Sequence, residues 1–183
     1  MSDKYIFGYR WKNRSAVIRY VICTVLLLLL AAVLQVTLLS KFRLLGVIPD
    51  LMLCTVVCVA FFCGRYMGAI TGIAGGFLIY ALGSPGITLL PLVYFLCGYI
   101  TGHYAKSVGE VGYLSFVGYI SASAAIRVVV SGICSFLEHS DLRFFHLLLH
   151  ILLPEFLLTL ILGLILYFPL RAFSFFVMQK RRR

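Results

Sequence analysis

From Tyr66 to Gly102 no residue carries a formal charge. That run is too long for one crossing of a bilayer, whose hydrocarbon core takes about 20 helical residues. Gly83-Ser84-Pro85-Gly86 interrupts it with residues that favour turns. The run therefore reads as two membrane helices joined by a tight connection. The composition agrees, since 62% of residues are hydrophobic and 12% charged, outside the range of soluble globular domains. The chain reads as an all-α polytopic membrane protein, a single transmembrane domain over 1–183.

The remaining uncharged runs complete the set. Val25 to Leu34 holds five consecutive leucines behind Lys4, Arg10, Lys12, Arg14 and Arg19. The run continues through Gln35 and Thr37 to Leu39 with no small-residue cleavage site, so it reads as a retained helix and not a secretory signal. Leu44 to Cys63 forms a second span containing Pro49 and Asp50. Val111 to Leu137 is interrupted only by Arg127, and Phe144 to Leu170 closes the series. Six transmembrane helices result, over about 17–40, 44–63, 66–82, 87–104, 111–137 and 144–170, with basic termini over 1–16 and 171–183.

Lys and Arg near helix ends stay on the cytoplasmic side. With the amino terminus inside, twelve of the sixteen basic residues fall in inner segments: the five before the first span, Arg65, Lys106, Arg171, Lys180 and Arg181 to Arg183. Lys41, Arg43 and Arg143 fall outside, and Arg127 lies within a span. The expectation is a multi-pass membrane protein with both termini cytoplasmic. The net charge of +10 then needs no nucleic acid, because basic termini bind anionic lipid headgroups.

Three charges stand inside the spans. At about 1.5 Å per helical residue, Asp50 lies roughly 9 Å and Glu155 roughly 16 Å below the outer ends of their helices, and Arg127 roughly 24 Å above the inner end of its own. A carboxylate and a guanidinium lower each other's desolvation cost when they pair. Asp50, Arg127 and Glu155 are therefore expected to form an intramembrane charge cluster, with Arg127 against Glu155 or Asp50. The alternative is that Asp50 snorkels outward and Arg127 stands alone. Pro49 suits the first turn of a helix, and Asp50 beside it suits the positive end of the helix dipole.

Gly64, Gly68, Gly72 and Gly76 recur every fourth residue and, with Ala69 and Gly75, strip one helix face so that another backbone can approach. What fills that face is either an internal seam, a partner helix or a second copy in a homodimer. Gly118, Ser121, Ala125 and Gly132 on the fifth span offer an intrachain mate. Pro49, Asp50 and the four ladder glycines are the candidate partner or helix-contact residues.

Reactive groupings are sparse. His146 and His150 stand one turn apart with Glu155 beyond, a spacing that can hold a metal. HExxH is absent, however, and Pro154 falls between His150 and Glu155. Cys23, Cys54, Cys58, Cys63, Cys97 and Cys134 include no CxxC pair and read as apolar packing residues. Neither GxSxG nor GxxxxGK occurs. The expectation is a protein that is not an enzyme and holds no metal or cofactor. Tyr94, with the three charges and His150, would line a polar pocket if the chain bound a small molecule.

The order of these features resembles the rod shape-determining protein MreD family. The resemblance is carried by a basic amino terminus, Leu34-Gln35-Val36, Ile48-Pro49-Asp50-Leu51-Met52-Leu53, Gly75-Gly76-Phe77-Leu78 and the closing Leu153-Pro154-Glu155-Phe156-Leu157-Leu158. One departure is Phe77-Leu78-Ile79-Tyr80-Ala81-Leu82, where family members commonly carry an aspartate. The resemblance implies a non-enzymatic scaffold of the cell-elongation machinery in the bacterial cytoplasmic (inner) membrane that binds an MreC-like single-span protein. Through it the chain would serve the MreB filament and the RodA polymerase with its transpeptidase in lateral peptidoglycan synthesis. It also implies a fold similar to the substrate-binding component of energy-coupling-factor transporters, and so an alternative role as a vitamin-binding transport subunit. The small-residue AxxxA docking face of such subunits is absent in its simple form, since Ala31 and Ala32 are adjacent.

Overall fold

The computed structural model describes residues 14–39, 49–82, 89–107, 113–138 and 152–179. Among these residues there are six α-helices and no strand: α1 (Arg14–Leu34), α2 (Leu51–Cys63), α3 (Arg65–Ala81), α4 (Leu90–Ser107), α5 (Tyr113–Glu138) and α6 (Leu153–Gln179). α1 runs on into one π turn, Gln35–Leu39. Two of the helices, α5 over Tyr113–Cys134 and α6 over Leu153–Arg171, are long and apolar enough to cross a membrane.

α2 is the hub. Its sequence, LMLCTVVCVAFFC, is apolar on every side, and a helix without a polar face belongs in the middle of its neighbours. Every residue from Leu51 to Phe61 is buried, and α1, α3, α4, α5 and α6 all pack around it. At 13 residues it is only about 20 Å long, and Pro49 and Asp50 at its start are both buried. Its amino terminus therefore lies inside the protein.

That start corrects the second span expected from residue 44. The helix begins at Leu51, with Asp50 as its cap and Pro49 one position further out, both non-helical; residues 44–48 lie outside the described residues. The sixth helix likewise departs from its expected range. Described from Leu153, it continues through Arg171 to Gln179, so it departs from that range at its far end, beyond residue 170. Pro154 sits in its first turn, where a missing amide costs no hydrogen bond. Residues 144–151 lie outside the described set, and so do His146 and His150.

A single residue joins α2 to α3. Gly64 has φ 92° and ψ −179°, a conformation almost restricted to glycine because a side chain would strike the backbone. α4 crosses this corner closely: a Cβ on Gly102 would stand 2.5 Å from the Gly64 carbonyl carbon and from the Arg65 nitrogen.

α3 and α4 form the most extensive helix pair. Gly68, Gly72 and Gly76 face the α4 backbone at Gly98, Tyr94 and Pro91 respectively. A Cβ on Gly72 would lie 2.7 Å from the Tyr94 carbonyl carbon and 2.9 Å from Phe95 Cα. Gly75 instead faces Met52 and Val56 of α2. The mate of the ladder is thus α4 and not the fifth span. Gly118 has nothing near its Cβ position, Ala125 is exposed, and Gly132 meets Leu152.

The outward faces are apolar. Leu26 and Leu30 on α1, Phe77 on α3, and Ile161, Ile165 and Phe168 on α6 are each more than half exposed.

Candidate functional site

The first turn of any helix leaves four backbone N–H groups without intrahelical partners. α2 begins in the apolar interior, where an unpaired amide is costly, so polar side chains are drawn to its start. Asp50 caps it, with Oδ1 accepting from the Leu53 N–H at 2.9 Å. Gln35, from the π turn after α1, accepts from the Met52 N–H through Oε1 at 2.8 Å. The Asp50 N–H donates to Thr159 Oγ1 of α6 at 3.1 Å.

The charge brought in by Asp50 is met by two further helices. Tyr94 on α4 donates its hydroxyl to Asp50 Oδ2 at 2.5 Å. Arg127 on α5 places Nε 2.5 Å from the same oxygen, as a charge contact whose N–H is directed off the oxygen. Arg127 Nη1 donates to Glu155 Oε1 in the first turn of α6. The guanidinium thus bridges both acids. Asp50 and Tyr94 are fully buried, and the side chains of Glu155 and Arg127 are 10% and 17% exposed.

Local sequence explains which faces arrive here. Glu155 and Thr159 are one turn apart on α6, followed at the same spacing by Gly163, whose missing side chain admits Ile120 and lets α6 lie close to Cys54 of α2. Cys54 completes the contact by donating its thiol to the Thr159 carbonyl at 3.4 Å. Between α4 and α5, Thr101 and Ser123 share a buried hydrogen bond at 3.3 Å.

Of the residues singled out from sequence, the structure brings Asp50, Arg127 and Glu155 together, with Tyr94 beside them. Asp50 is buried inside the chain and does not reach outward. Pro49, Asp50, Gly64, Gly68, Gly72 and Gly76 are all buried, their surfaces taken up by α4, α5 and α6 of the same chain. Gln35 and Thr159 were not among the candidate residues. Their signal was an isolated polar side chain in an apolar span, which in Thr159 also falls one turn from Glu155.

Chemically the cluster is a fastener. Asp50, Tyr94, Arg127 and Glu155 bind one another across four helices, and among the described residues no three His, Cys, Asp or Glu side chains form a grouping that could hold a metal ion. None of the six cysteines is in a disulfide. No protein-family model matches the chain, and no curated protein or solved structure gives a match.

Proposed function

We propose that the protein is a six-span component of a bacterial cytoplasmic membrane, with both termini cytoplasmic, acting as a non-enzymatic scaffold of the MreD kind in cell elongation. The observation that carries this reading is the Asp50–Arg127–Glu155 bridge. It ties the buried start of α2 to α5 and α6, with Tyr94 adding α4, so its polar groups serve cohesion of the bundle. A transport subunit would instead keep such groups turned toward an empty pocket.

Support for the membrane setting comes from the large apolar side chains on the outer faces of α1, α3 and α6 and from the basic residues flanking the spans. Support for the elongation role comes from the motif resemblance around Pro49-Asp50 and Pro154-Glu155. An MreC-like single-span helix would dock on an outward face, since the ladder face is occupied by α4.

Photocrosslinking in living cells, from single positions on outward faces such as Ala125 on α5 and Ile161 on α6, tests the reading. Capture of an MreC-like single-span protein at one face is the expected result. Co-purification of an energy-coupling ATPase or a stoichiometric vitamin, with no such capture, would move the assignment to transport.

A further inference from the structure

α6 runs past the level at which its neighbours end. Two ring contacts fix that level: Tyr167 of α6 lies 6.0 Å from Phe62, one residue before the end of α2, and 5.2 Å from Tyr113, the first residue of α5. Arg65, which opens α3 directly after the Gly64 corner, stands at the same end with its guanidinium 4.8 Å over the Tyr66 ring. Arg171, one turn beyond Tyr167, repeats the pattern at 5.8 Å over the Tyr167 ring. Tyrosines and arginines gathered at one level mark the boundary between hydrocarbon and headgroups. The helix nevertheless continues from Ala172 to Gln179, about 12 Å further. That extension is not polar: it carries Phe173, Phe175, Phe176, Val177 and Met178, and Lys180, Arg181, Arg182 and Arg183 follow it.

We propose that residues 172–183 are an interfacial anchor seated in the headgroup layer of an anionic leaflet, the apolar helical stretch at the headgroup–acyl boundary and the basic cluster on the headgroups of anionic phospholipids. An apolar segment beyond the rim of a bundle gains by leaving water, and the boundary accepts aromatic residues while each Lys or Arg near an anionic surface adds attraction. Pro169 lies between the span and the extension. It lacks the N–H that would bond the Ile165 carbonyl, so a change of helix direction is cheap there. The inference rests on the membrane reading above with the carboxyl terminus cytoplasmic, where the leaflet is anionic, and it is independent of the elongation role.

Tryptophan quenching of the full chain in nanodiscs of phosphatidylcholine and phosphatidylglycerol tests this. Trp11 is the only tryptophan, so Phe176→Trp in a Trp11→Phe background gives a single reporter, and Phe173→Trp carries the same test should that variant fail to fold. Nitroxide lipids labelled at the headgroup or at the acyl-chain end quench at shallow or deep positions. The expected result is stronger quenching by the shallow label, reduced by Lys180→Gln/Arg181→Gln/Arg182→Gln/Arg183→Gln and by leaving out phosphatidylglycerol. Quenching by neither label, as for a segment in water or one held for a protein partner, overturns the proposal. So does stronger deep quenching, which would make the segment part of the span, or indifference to both the four charges and phosphatidylglycerol. Ile165→Trp in the same background, on the exposed face of α6, reports on the membrane reading alone: deep quenching is expected there, and its absence would remove that reading rather than the anchor by itself.

Discussion

Asp50 and Thr159 are 109 positions apart in the chain, and the amide of the first donates to the hydroxyl of the second at 3.1 Å. That bond marks where a short central helix begins inside the protein. The same requirement, satisfying a buried helix start, draws in Gln35, Tyr94 and, through the Asp50 charge, Arg127.

Arg127→Met removes the bridge and leaves Asp50 buried without its cation. Breaking a buried ion pair from one side costs about 3–5 kcal/mol, and unfolding in detergent should show a loss of that size. Removing all three charges together, as Asp50→Asn/Arg127→Met/Glu155→Gln, should recover more than half of it. A triple variant no better than the single one would show that the charges do not act as a unit.

Tyr94→Phe deletes only the hydroxyl that donates to Asp50. A hydrogen bond to a charged group contributes about 1.5–3 kcal/mol. Thermal unfolding should register a loss in that range while the helical circular-dichroism signal of the folded protein stays unchanged.

Gly72→Ala and Gly118→Ala form a matched pair. The first puts a methyl group against the Tyr94 carbonyl and Phe95 Cα, backbone atoms that move only if α3 and α4 separate; the second meets open space. Overpacking of this kind costs about 1–3 kcal/mol. The expected outcome is a clear drop in melting temperature for Gly72→Ala and none for Gly118→Ala, and equal values would remove the α3–α4 seam as an explanation of the ladder.

Gly64→Ala forces a side chain into the corner between α2 and α3, where φ is 92°. Strained backbone of this type costs about 1–3 kcal/mol. Limited proteolysis should cut the variant faster than the native protein at this corner.

Much of the fold was legible in the residues. Uncharged runs and the breaks between them locate α1, α3, α4 and α5 to within a few residues, because apolar length and turn chemistry act locally. The start of α2 was legible in Pro49-Asp50, which suit a helix entry, but not in the apolar run. Apolar residues run on both sides of Pro49-Asp50, so hydropathy sees one continuous span, while the helix begins only where Asp50 can cap Leu53. The candidate site was legible in part for a similar reason. Asp50, Arg127 and Glu155 stand out as charges among apolar neighbours, whereas Gln35 and Thr159 are neutral and acquire a role only from what lies opposite.

The amino acids alone determined that the chain is helical and apolar, that three charges interrupt its apolar runs, and that one face of α3 is bare of side chains. Each of these follows from per-residue chemistry, from desolvation cost or from a period along one helix. Only the tertiary structure decided that α4 fills the bare face, that Arg127 serves both acids, and that the Pro49-Asp50 segment lies inside the bundle. Those outcomes depend on how the helices fit together at once, and no single helix carries the shape of its neighbour.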